Sequence, residues 1–189
     1  MPVRLLEKYR KEVIPQMQEK YGIKNPMAVP HLDKVVVNMG VGEAISDVKI
    51  LDRAAVDLSM ITGQKPILRR AKKAISNFKL RENLPVGCKV TLRRARMYEF
   101  VDRLVNVSLP RIRDFNGTSR KAFDREGNYT LGITDQGIFP EIDAGARDHR
   151  IQGMDITFVF KNGTKEQNFE VLRLLGMPFT KEQNKEKVG

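Results

Sequence analysis

Apolar side chains recur along this chain with two different periods, and the switches between them mark its elements. Leu5, Leu6, Tyr9, Val13, Met17 and Tyr21 fall at helical spacing and predict an amphipathic helix over about residues 3–20, with Pro15 expected to kink or interrupt it. Asn25, Pro26 and Pro30 make a connection to Lys34–Met39, where Val35, Val37 and Met39 take one phase of a strand and Val36 and Asn38 the other. Helical spacing returns at Val48, Leu51, Ala54, Ala55, Leu58 and Ile61, with Ser46 or Asp47 as cap and Gly63 as stop. Pro66–Leu68 reads as a short edge strand, and no period is sustained from Arg69 to Asn83, which predicts an exposed loop or a weakly held helix.

Val86, Cys88, Val90 and Leu92 then alternate with Gly87, Lys89, Thr91 and Arg93, the mark of a strand with one buried and one polar face. A third helix runs through Met97, Phe100, Val101, Leu104, Val105 and Ser108 and is expected to end at Pro110. Residues 120–133 predict a hairpin turning at Gly127 and Asn128, and Met154, Ile156, Phe158 and Phe160 a further strand. Thr164 and Gln167 form a capping box for a last helix closed by Gly176. The expected fold is α+β: a largely antiparallel sheet with helices mainly on one face, plus an extended basic loop at 69–83. Residues 1–179 are expected to form a single α+β domain and 180–189 a polar, disordered tail.

Charge changes this picture from a fold to a function. Residues 65–96 hold eleven Lys or Arg against one acid, Glu82, and so carry +10 of the chain's net +11. A solubility device needs no such concentration, whereas a polyanion partner does, because neutralising phosphates releases their counterions. Lys, Arg, Asn and Thr with few aromatics suit a folded RNA backbone better than base stacking along a single strand. No apolar run spans a bilayer and no signal-like block opens the chain, so a cytosolic protein without a membrane partner is expected. With one cysteine, Cys88, no internal disulfide or multi-thiolate zinc site can form, and its apolar strand phase predicts a buried, inert thiol.

Enzymatic motifs fail on physical grounds. Gly40 and Gly42 follow a strand, but the third position of a dinucleotide fingerprint is Ile45, too bulky for close strand–helix packing. His31 and His149 belong to no metal-ligating spacing. Glu141, Asp143 and Asp148 offer an alternative, a metal-dependent nuclease or RNA-processing enzyme, yet they sit in a connection beside Arg147 and Arg150 that reads as solvated ion pairs. A non-specific RNA chaperone is a further alternative. No catalytic residue, cofactor or metal is expected.

NMGVGEA at 38–44, TGQKP at 62–66, GCKVTLR at 87–93, RIRDF at 111–115, GNY at 127–129 and FPEID at 139–143 resemble, in consistent order, the bacterial form of the large-subunit ribosomal protein family, fifth in the usual series, that binds 5S ribosomal RNA. The resemblance implies a non-enzymatic constituent of the central protuberance, in contact with other large-subunit proteins there. It places Asn38, Gln64 and Thr91 at polar contacts with 5S RNA, and Lys65, Lys89, Arg93 and Arg94 beside them can neutralise phosphates. It further implies that the basic loop, with Arg69, Arg70, Lys72, Lys73, Phe78, Lys79 and Arg81, reaches peptidyl-site tRNA. The region from about Arg111 to Asp143 resembles the part that bridges to a small-subunit head protein.

Overall fold

A computed structural model describes residues 3–45, 47–142 and 151–180. Its organising element is β1 (His31–Gly40), the middle of a five-stranded sheet of order β2-β3-β1-β5-β4, with β2 Ile67–Arg70, β3 Pro85–Leu92, β4 Tyr129–Ile133 and β5 Met154–Lys161. Every neighbouring pair is antiparallel. The period of two seen in the sequence is thus a division of faces. Val35, Val37 and Met39 lie opposite Leu92, Val90 and Cys88 on β3, while Val35 and Val37 face Phe158 and Ile156 on β5. All of these are buried, each large aliphatic or aromatic side chain contributing about 1.5–3 kcal/mol relative to exposure.

Helices cover that one face. α1 (Arg4–Lys8) and α2 (Ile14–Tyr21) flank a π-helical turn, Tyr9–Val13. The sequence leads one to expect interruption at Pro15, but the helix continues to Tyr21. Proline sits in the first turn of α2, after the widened turn in which the Ile14 N–H donates to the Tyr9 carbonyl, so no helical bond is demanded of it. The same device recurs after α4 (Arg94–Arg103), where a π turn, Leu104–Ser108, leads into a 3-10 turn, Leu109–Arg111. Pro110 therefore lies inside the final turn and does not end the helix before it.

α3 (Val48–Thr62) packs on β3, α4 on β1, and α1 on α4. α3 is capped by Asp47, whose carboxylate accepts from the Lys49 N–H, and stops at left-handed Gly63; Ser46 lies outside the described residues. α5 (Lys165–Leu175) begins with the predicted Thr164–Gln167 capping box and stops at Gly176. The 120–133 hairpin is present with an abbreviated first strand: Phe123 bridges Tyr129, and Asp124 accepts from the Asn128 N–H at 2.7 Å to close the turn. No helix among the described residues is long and apolar enough to cross a membrane.

Candidate nucleic-acid interface

The second face of the sheet is left open by the helices. Its side chains are set by the same register: Asn38 stands between Lys89 and Asp155, Val36 between Thr91 and Thr157, and Gly40 beside Gly87. Lys89 also faces Ile67, and Thr157 faces Thr130. Asn38, Lys89 and Thr91, predicted from strand phase and resemblance, thus meet on adjacent strands of one half-buried surface. At Gly87 a Cβ atom would come within 2.6 Å of the Met39 carbonyl oxygen, so only glycine fits there. Gly40 beside it is exposed and Gly87 itself is buried, so no side chain stands over the backbone at that end of the face.

Four further predicted residues collect at its rim. Gln64 follows left-handed Gly63, and its Nε2 donates to the Thr91 carbonyl at 3.5 Å, tying the α3–β2 connection to β3. Lys65 is exposed next to it. Arg93 and Arg94 occupy the β3–α4 junction, where Arg94 adopts a left-handed backbone with φ 52°. Arg93 is not a free cation: its guanidinium donates to Asp33 at 3.0 Å, and Lys161 reaches the same carboxylate at 3.6 Å. Burial pushes the Asp33 carboxyl up, but the Arg93 hydrogen bond and charge, with Lys161 and Lys34, outweigh it and hold it below its ordinary value. Asp33 falls at a bulge in β1, between Leu32 and Lys34, and sequence reading missed it because a bulge breaks the period by which phase is assigned.

The basic loop is a hairpin. β2 includes Arg69 and Arg70, and beyond it the Ala71 N–H donates to Leu84 and the Asn83 N–H to Ala71. A second rung joins Ile75 and Leu80 in both directions, at 2.8 and 3.1 Å, around a 3-10 turn, Ser76–Phe78. Left-handed Lys79 and Asn83 close the two turns, at φ 52° and 66°. Lys72, Lys73, Lys79 and Arg81 are exposed along it, and Phe78 at its tip is 69% exposed. The predicted loop residues therefore project together as one finger continuous with the sheet edge.

Cys88 is buried, and burial with the nearby Asp57 charge pushes its thiol up to about 11. Among the described residues no three His, Cys, Asp or Glu side chains are grouped to hold a metal ion. Of the nuclease alternative only Glu141 is described, ion-paired with Arg103; Asp143, Asp148 and His149 lie outside the described residues.

Sequence comparison with known proteins covers most of the chain. Residues 25–81 match the family model "Ribosomal protein L5" and residues 85–179 match "ribosomal L5P family C-terminus". Large ribosomal subunit protein uL5 of Clostridium botulinum is 60% identical over 176 residues, 93% of this chain and 98% of the relative. Those of Clostridium kluyveri and Clostridium tetani are 59% and 58% identical over 179 residues, 95% of this chain and 98% and 99% of the relatives. The boundary between the two family models, at residues 81–85, falls in the returning arm of the basic hairpin, so both halves contribute to the one sheet. With two models in sequence and relatives near 60% identity across almost its full length, the chain belongs to the ribosomal protein L5 family.

Proposed function

We propose that this protein is a structural, non-enzymatic constituent of the large ribosomal subunit in the cytoplasm, and that it binds 5S ribosomal RNA through the open sheet face and its rim. The observation that carries this reading is the register that brings Asn38, Lys89 and Thr91 onto one uncovered surface, with Gln64, Lys65, Arg93 and Arg94 at its edge. Neutral side chains that donate and accept suit ribose hydroxyls and base edges, and the cations suit phosphates. The basic hairpin, ordered by backbone rungs yet exposed in its side chains, is assigned to peptidyl-site tRNA. The stretch from Arg111 toward Asp143, with exposed Arg113 and Asp114, is assigned to the small-subunit head protein. Residues 1–179 act as one domain in this reading, alongside other proteins of the central protuberance.

Band shifts with 5S RNA, bulk tRNA and duplex DNA across a salt series test it. Tightest binding to 5S RNA is expected, with a log–log salt slope of about −4 to −5 if five or six cations engage phosphates. Equal affinity for all three would favour a non-specific chaperone, and Mg²⁺-dependent cleavage of the RNA would favour a nuclease.

A further inference from the structure

The open face is electrically divided. β2 and β3 supply Arg69 and Lys89 to it, with Lys65, Arg93 and Arg94 at the rim, whereas β5 and β4 supply Asp155, Thr157, Thr130 and Gly132. The one cation within the described strands β4 and β5, Lys161, lies at the far end against Asp33. Asp155, the second residue of β5, stands near the start of that strand, directly opposite Asn38 on one side and Gly132 on the other. It is exposed and makes no hydrogen bond or ion pair with another described residue. Its Oδ1 lies 3.7 Å from where a Gly132 Cβ would stand, so the carboxylate occupies the side of the face where β4 carries no side chain.

An ionised carboxylate can only accept hydrogen bonds, and it repels phosphate. Strands stand about 4.8 Å apart, so Asp155 sits about 10 Å from Lys89 across the sheet. On that scale a duplex RNA gripped by its backbone over β3 presents its wide, shallow minor groove, with 2′-hydroxyls and base edges, to β5. Thr130 and Thr157 extend this strip, their hydroxyls 3.2 Å apart, one donating and one accepting.

We propose, building on the open-face reading above, that the β5–β4 half reads neutral hydrogen-bond donors of an RNA minor groove, ribose 2′-hydroxyls or guanine 2-amino groups. Asp155 is the acceptor that sets specificity and excludes phosphate from this half. The phosphate backbone is thereby confined to the β3 side, which fixes the orientation of the helix on the sheet.

The test measures affinity of the full chain and of D155A, D155N, N38A and K89A for 5S RNA, for 5S RNA carrying 2′-deoxy residues in the protein-protected region, and for 5S RNA with inosine replacing guanine there. D155A is expected to weaken binding about tenfold or more, and D155N by less. The D155A penalty should vanish on the deoxy-substituted RNA if hydroxyls are read, or on the inosine RNA if amino groups are. Tighter or unchanged binding by D155N and D155A overturns the inference, because a carboxylate that only repels phosphate must improve affinity when removed. A penalty undiminished on both substituted RNAs overturns it as well. If N38A and K89A also bind like the unaltered protein, the open-face reading itself falls and takes this inference with it.

Discussion

Asn168 of α5, fully buried, donates its side-chain Nδ2 to the carbonyl of Gly127 at 3.0 Å and so ties the helix to the turn of the 120–133 hairpin. The same nitrogen reaches the Gly163 carbonyl at 3.5 Å, and a Cβ at Gly163 would stand 2.0 Å from Asn168 Oδ1 and 2.8 Å from Pro30 Cβ. Asn168→Ala strands a buried carbonyl and is expected to cost about 1–3 kcal/mol. Gly163→Ala overpacks the same point and is expected to cost a similar amount. Urea midpoints check both; affinity for 5S RNA, measured well below the transition, should be unchanged.

On the proposed division of labour, replacing Lys72, Lys73 and Lys79 together by Ala should weaken tRNA binding while leaving 5S RNA affinity within about twofold. Asn38→Ala or Thr91→Ala should do the reverse. The hairpin's rungs are backbone hydrogen bonds, so the triple variant keeps its shape, and circular dichroism should not change. Loss of 5S binding in the triple variant would contradict the assignment.

Lys89 on the open face and Arg93 at its rim should differ. Arg93 already shares its charge with Asp33 at 3.0 Å, whereas Lys89 makes no ion pair with a described residue. Lys89→Ala is expected to reduce the magnitude of the salt slope by about one and Arg93→Ala by less. Titrations of both variants at three or more ionic strengths would reveal equal slopes if the Asp33 pair does not matter.

Cys88 should resist alkylation in the native protein and react at the rate of unfolding. Its thiol is raised from 9.0 to about 11, so the folded state keeps a proton that the unfolded chain releases first. The stability this contributes is full below pH 9 and is lost as pH rises toward 11. Denaturant midpoints across that window should fall less steeply for Cys88→Ala than for the unaltered chain.

At the acid end, Glu170 takes over. Its carboxyl is lowered first by the Arg173 hydrogen bond, against burial, and then by Lys20, with ion-pair distances of 2.5 and 3.0 Å. A depressed carboxyl stabilises the fold above its unfolded value of 4.5, and that stability is lost as pH falls through the folded value. Glu170→Gln should lower stability at neutral pH and flatten its decline in acid, as thermal melts between pH 3 and 7 on the order of a unit apart would show.

Strand phase and capping were legible in the sequence because each is local. Val35, Val37 and Met39 fell on the buried side and Asn38 and Thr91 on the open one, while Asp47, Gly63 and the Thr164–Gln167 pair marked helix ends. The two proline helices were not legible, since a π turn ahead of Pro15 or Pro110 has no composition of its own. Nor was the hairpin at 69–83: its rungs are main-chain bonds among exposed side chains, with Ala71 the buried exception, so no hydrophobic period records them. Concentrated charge located the cationic half of the candidate site. Asp155, Thr157 and Thr130 escaped because their half carries no excess charge, and only the β1–β5 register brings them beside Asn38.

The strand order also has a consequence in time. β1 is made early, and β3 can join it once residue 92 exists, but its other neighbour, β5, is complete only at residue 161. Throughout the intervening synthesis one side of the central ladder, from His31 to Asn38, has no strand to pair with. Closure of the sheet is therefore a late, long-range step, and a chain truncated before residue 154 turns its central strand into a bare edge prone to pairing with other chains.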